Sequence, residues 1–234
     1  MTDNTPMSPE EHKKTISTKE ALFFGWDAFK ETYRIFIPAL LITIGLSFMV
    51  SFLEEEKVGD TLMIIAGVLG TIAQIIIGLG LVKVSLRTVD GERVVFDDIF
   101  SVTHLFFSYL GASLLYSLIV FGGFLLLIIP GIIWTVTYWL FQYTLVDREK
   151  GVFDALRSAK EASTGVRWEL AGFMFVSGVI NIAGILAFGV GLLVSLPVTM
   201  LATAYVYRSL TIRVSDAEKE SVKKRILEEV PTAV

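Results

Sequence analysis

The chain has 234 residues, 53% of them hydrophobic, a formal net charge of −4 and no cysteine, and its mean hydropathy is +0.66. Without cysteine there are no disulfides, thiolate metal sites or cysteine nucleophiles, and the net charge gives no hint of a nucleic-acid partner. The apolar residues are gathered into long runs rather than spread at helical spacing, which suits lipid as solvent better than a large soluble core.

Residues 1–34 are polar or mixed, much longer than the charged leader of a signal peptide. Within them Ser17-Thr18-Lys19-Glu20 fits a capping box, with Ser17 as N-cap and Glu20 reaching back. The helix it opens carries Leu22, Phe23, Trp26 and Phe29 at spacings of three and four, with Asp27, Lys30 and Glu31 towards the other face. That pattern predicts an interfacial helix along the membrane surface or a helix packed under the bundle. Residues 35–53 form the first apolar run, 54–60 an acidic loop and 61–82 the second run. Residues 83–104 are polar and contain the turn signal Asp90-Gly91-Glu92.

Residues 105–146 carry no charge. As one helix they would be roughly 63 Å long at ~1.5 Å per residue, about twice a ~30 Å hydrocarbon core. Two spans with a tight turn are predicted, broken at Gly122-Gly123. Pro130-Gly131 is the competing break, and Pro130 reads instead as a kink near the outer end of the fourth helix. After a polar stretch at 147–169, residues 170–188 and 190–210 form a last hairpin, turning at Gly189-Val190-Gly191 and bearing Pro197 as a second kink. The charged tail at 213–234 opens a second capping pattern at Ser215 and Glu218. Val222, Ile226 and Val230 follow as a narrow apolar stripe.

With six spans, all Lys and Arg residues except Lys57 fall on one side. Lys and Arg in short loops mark the cytoplasmic side, so both ends are predicted there. The expected fold is an all-α, six-span bundle in a bacterial inner membrane. Residues 1–34 supply a cytoplasmic tail and amphipathic helix, 35–212 the membrane domain, and 213–234 a cytoplasmic helix or tail. Val95-Phe96-Asp97-Asp98-Ile99-Phe100-Ser101 precedes the third span and Val152-Phe153-Asp154-Ala155-Leu156-Arg157-Ser158 the fifth. Each leads into a hairpin whose second helix bears a proline. This suggests a three-fold repeat of a short helix plus a hairpin, the first copy being degenerate.

Ionisable residues inside spans are the usual functional pointers in membranes, and between their ends the predicted spans hold none. The polar candidates are Gln74, Gln142 and Asn181. Each reads either as a hydrogen bond across a helix interface or as the lining of a polar cavity. Tyr138, Trp139 and Tyr143 read as an aromatic belt at the headgroup boundary rather than a ligand site. Gly78-Leu79-Gly80 lacks the Lys and Ser/Thr of a phosphate loop and reads as helix packing. His12 and His104 have no nucleophile partner nearby, and the adjacent Asp97-Asp98 do not converge on one point of a helix. No catalytic residue, cofactor or metal ligand is assigned, and no enzyme activity is expected.

The fourth span and following loop carry Ile129-Pro130-Gly131-Ile132-Ile133, then Leu145-Val146-Asp147, Gly151-Val152-Phe153 and Ala155-Leu156-Arg157-Ser158. This pattern resembles the YciC-like group of bacterial inner-membrane proteins and the related membrane domain attached to some glycerophosphoryl diester phosphodiesterases. The resemblance implies a polytopic membrane protein and carries over no catalytic residue. It points to Asp154, Arg157 and Ser158 as a cytoplasmic elbow docked beneath the bundle, with Arg157 contacting anionic headgroups or capping helix carbonyls. The expected role is a non-enzymatic scaffold or accessory protein in envelope or lipid homeostasis. Membrane lipids and a protein at the cytoplasmic face are its expected partners, and the oligomeric state is left open. The alternative is a small-solute or lipid transporter or channel. A dry, filled bundle favours the scaffold; a central polar cavity reached by Gln74 or Asn181 favours transport.

Overall fold

The computed structural model describes residues 16–55, 59–149, 151–187 and 189–229. His12, Lys57 and the side chains of the tail stripe Val222, Ile226 and Val230 lie outside what is described. The described residues are helical, with no strand among them: α1 (Thr18–Glu55), α2 (Asp60–Val89), a 3-10 segment (Phe96–Leu105), α3 (Phe106–Leu126), α4 (Ile128–Tyr138), α5 (Phe141–Arg148), α6 (Val152–Ser163), α7 (Arg167–Leu186) and α8 (Leu192–Glu229). Among the described residues, five helical stretches are long and apolar enough to cross a membrane.

Ser17 caps α1 as predicted, its Oγ accepting the Glu20 N–H at 3.4 Å. The expected separation of an amphipathic helix from the first span does not occur. α1 is one helix of 38 residues, roughly 57 Å at ~1.5 Å per residue. Between Phe29 and Ile35 stand only Lys, Glu, Thr, Tyr and Arg, with no Gly or Pro to end it. Gly25 lets α1 press onto α8: a Cβ there would meet the Val198 carbonyl oxygen at 2.4 Å. α8 likewise runs unbroken past Ser215, so the tail opens no separate helix.

α2 ends as the turn signal predicts, with Gly91 at φ 73° and the Glu92 N–H bonded to the Arg87 carbonyl at 2.9 Å. The 3-10 segment is ten residues long, unusual for a geometry that rarely exceeds one turn. Its sequence suits it. Ile99, Val102 and Leu105 recur at spacing three and are all buried, because three residues per turn stack them on one face. The Asp98 carboxylate accepts the Val95 N–H at 2.8 Å and fixes the start. Gly80 of α2 admits this face, since a Cβ there would lie 2.2 Å from the Ile99 carbonyl oxygen.

The break between the third and fourth runs is not at Gly122-Gly123. α3 continues to Leu126, and Leu127 is extended at φ −167°, ψ 154°. Pro130 then stands in the first turn of α4 rather than kinking a helix interior. A proline there forfeits no helical bond, because first-turn N–H groups lack intrahelical partners. Gly123 serves packing instead, a Cβ on it meeting the Gly131 Cα at 2.9 Å. Pro197 does lie inside a helix, as does Pro38. The last hairpin turns where predicted, with Gly189 at φ 74°.

Burial is uneven along the helices. Leu79 to Leu86, Leu140 to Val146 and Leu201 to Leu210 form the core, at the end carrying Asp90, Asp147 and Arg208. Towards the opposite turns Phe48, Ile64, Phe121, the run Leu125 to Ile129, Leu186 and Val190 are all exposed. A belt of exposed Leu, Ile and Phe on this scale fits lipid as its surroundings.

Candidate functional site: a polar cavity within the bundle

The run from Ile128 to Arg148 is interrupted. α4 stops at Tyr138, Trp139 and Leu140 form a turn, and α5 resumes at Phe141. The backbone here is buried in protein and beside a cavity, the setting in which irregular backbone can sit within a membrane. Leu140 is fully buried, while Trp139, Phe141, Gln142 and Tyr143 border a cavity of about 440 Å³. α2, α3, α7 and α8 complete its walls, through Val82, Tyr116, Ser177, Asn181, Thr199 and Thr203 among others. A neighbouring cavity of about 300 Å³ lies against Thr71, Gln74, Gly78, Tyr109 and Gln142. The two share Val82, Gln142 and Met200 as walls.

All three polar candidates from the sequence therefore border these cavities. Each also makes the bland contact: Gln74 Nε2 donates to Ser47 Oγ, Gln142 Nε2 to Tyr109 Oη and Asn181 Nδ2 to Thr199 Oγ1, each at 3.3 Å. The contact with Thr199 does not exhaust Asn181. Its Oδ1 is buried without a hydrogen-bond partner among the described residues, as is Ser177 Oγ one turn earlier on the same helix. Among the described residues, no Asp, Glu, Lys, Arg or His borders either cavity.

The aromatic residues read as a headgroup belt turn inwards. Tyr143 is buried and its hydroxyl donates to the Met200 carbonyl at 3.0 Å, and Trp139 packs on Phe173 with ring centres 6.0 Å apart. Tyr143 also packs on Tyr207 at 6.1 Å, which leads to a charged cluster. The Tyr207 hydroxyl donates to Asp147 Oδ2 at 2.7 Å. Arg208 donates from Nη1 to Asp147 Oδ1 at 2.6 Å and from Nη2 to Asp90 Oδ2 at 2.5 Å. One guanidinium thus ties α8 to α5 and to the end of α2. Arg87 pairs with both Glu92 and Asp98, and Lys83 with Glu149.

The elbow helix α6 docks through Ala155, Leu156, Ser158, Ala159, Ala162 and Ser163. Ser158 accepts from Arg148 Nη1 at 3.2 Å, and Ser163 Oγ donates to the Thr137 carbonyl at 2.9 Å. Asp154 is exposed. Arg157 faces away from the bundle and pairs with Glu161 on its own helix, so neither provides the docking.

Sequence reasoning missed Ser177, Thr199 and Thr203. A signal was present: Ser177 and Asn181, and Thr199 and Thr203, are i,i+4 pairs that share a helix face. The partnership of Arg208 with Asp147 and Asp90 had no local signal, because it joins residues far apart in the chain.

The fold fits an integral membrane protein with a cavity among its helices whose mainly apolar lining carries amide and hydroxyl groups. Comparison with known proteins found no matching family, no matching curated protein and no matching solved structure.

Proposed function

We propose that the chain is a six-span bundle of a bacterial inner membrane, with both termini cytoplasmic, that passes a small solute through its interior without being an enzyme. In this reading α4 and α5 cross together as the fourth span, which five uninterrupted stretches would otherwise leave missing. The distribution of Lys and Arg then segregates to the side of the Asp90–Asp147–Arg208 cluster. A transport role is supported above all by one observation: Gln74, Gln142 and Asn181, from three different helices, bring amide groups to adjoining, largely apolar cavities beside an interrupted helix. Discontinuous helices flanking a mid-membrane site recur in transporters. The uncharged spans and one-sided polar mass that motivate a scaffold suit a carrier equally well. Surrounding lipids are the one partner class the exposed apolar belt favours. The three-fold hairpin repeat stays part of the proposal. α3–α4 and α7–α8 each follow a short helix, though one of these is 3-10 and the other α.

The test is uptake by the purified chain in proteoliposomes. Gln74→Leu combined with Asn181→Leu abolishes uptake while the gel-filtration profile in detergent stays unchanged. Uptake surviving in a folded double variant would remove the cavity as the route.

A further inference from the structure

The chemistry of the larger cavity is specific enough to name what fits it, given that the cavity is the solute site. We infer that it binds an uncharged polyhydroxyl group, held by hydrogen bonds at Ser177 and Asn181 and by apolar contact with Trp139 and Tyr116.

Three observations lead there. The first is charge. Among the described residues no carboxylate, ammonium, guanidinium or imidazole borders the cavity, so a charged ligand would shed its water with no countercharge there, at prohibitive cost in a low-dielectric interior. The second is the polarity of the free atoms. Asn181 spends a donor on Thr199 and leaves Oδ1, which can only accept. Ser177 is 5% exposed, and its Oγ has no partner among the described residues. Both atoms expose almost no surface in this conformation, so a small turn of these side chains brings them to the cavity, where an acceptor of this kind calls for a donor from the ligand. A hydroxyl supplies that donor and can also accept from Ser177. The third is shape. The remaining lining includes Trp139 and Tyr116 from other segments and Met174 from α7 itself, faces suited to the C–H surface of a compact polyol or sugar ring. About 440 Å³ lies within the range of small-molecule sites.

The same hydroxyls could belong to a free polyol or to the sugar headgroup of a glycolipid, and the experiment separates the two. Proteoliposomes of the full chain are assayed with labelled erythritol, xylitol and sorbitol, with lactate as anion and choline as cation, against protein-free vesicles. A second arm places a fluorescent monoglucosyl diacylglycerol in one leaflet and follows its exchange by dithionite quenching. The wild-type chain is expected to pass a neutral polyol, or exchange the glycolipid, and to exclude lactate and choline. Ser177→Ala and Asn181→Leu are each expected to slow that process about three- to tenfold, the worth of one neutral hydrogen bond. Passage of lactate or choline in preference to the neutral probes would overturn the ligand class and leave the carrier reading standing. Polyol or glycolipid movement unaffected by either substitution would overturn the assignment to this cavity. No movement of any probe would overturn both readings together.

Discussion

Two glycines two residues apart on α2 have opposite roles. A methyl group on Gly78 would meet nothing within 4 Å, whereas one on Gly80 would lie 2.2 Å from the Ile99 carbonyl oxygen and 2.5 Å from its Cα. Backbone cannot yield as a flexible side chain can, so Gly80→Ala is expected to cost about 1–3 kcal/mol. Gly78→Ala is expected to be neutral or to stabilise by up to ~1 kcal/mol, since alanine loses less backbone freedom in a helix. Thermal unfolding of both variants in detergent checks the contrast; equal midpoints would contradict it. The reading of Gly78-Leu79-Gly80 as packing was legible at Gly80. Its distinction from Gly78 was not, because only the fold brings the 3-10 segment against one of them. Gln74, Gln142 and Asn181 were legible for a general reason: amides are conspicuous inside apolar runs. Ser177 and Thr199 were not conspicuous, since short hydroxyl side chains in helices usually bond back to their own backbone, as Thr199 does with the Ser195 carbonyl at 2.9 Å.

Among the elements, the uncharged run at residues 105–146 is the most informative. Its length forces a turn, and that much was legible from the absence of charge between residues 105 and 146. The place of the turn depended on which residue could least continue a helix. Gly122 and Gly123 can remain helical, while Pro130 loses no helical bond in a first turn, and the break at Leu127 places it there. The second interruption, at Trp139 and Leu140, left no mark in the sequence, because both residues tolerate helix well. On α8, Arg208 ties three elements together, and its side chain is 22% exposed against 16% for Asp147. That places the pair between the ~0.2–1 kcal/mol of surface pairs and the ~3–5 kcal/mol lost on breaking buried ones. A double-mutant cycle of Arg208→Met and Asp147→Asn is expected to give a coupling of about 1–3 kcal/mol. A coupling near zero would mean that the contact does not hold α8 to α5.

For the molecule as a whole, an asymmetric distribution of basic residues, a belt of exposed apolar side chains and a polar interior describe one object. The exposed Leu, Ile and Phe make sense against lipid, and the proposed route through the cavity has the interrupted α4–α5 run crossing that lipid with the other helices. Six crossings put the turns near Lys57, Leu127 and Gly189 on one side, and Gly91 and Arg157 on the other. Five crossings would leave α4–α5 on one face and return Gly189 to the side of Gly91. The chain has no cysteine, so single cysteines introduced at these positions report without background. The decisive measurement is labelling of Gly91→Cys, Leu127→Cys, Arg157→Cys and Gly189→Cys in intact cells with a membrane-impermeant maleimide. Labelling of Leu127→Cys and Gly189→Cys, with Gly91→Cys and Arg157→Cys reacting only after the membrane is opened, is the predicted result. Protection of Gly189→Cys together with Gly91→Cys would contradict it.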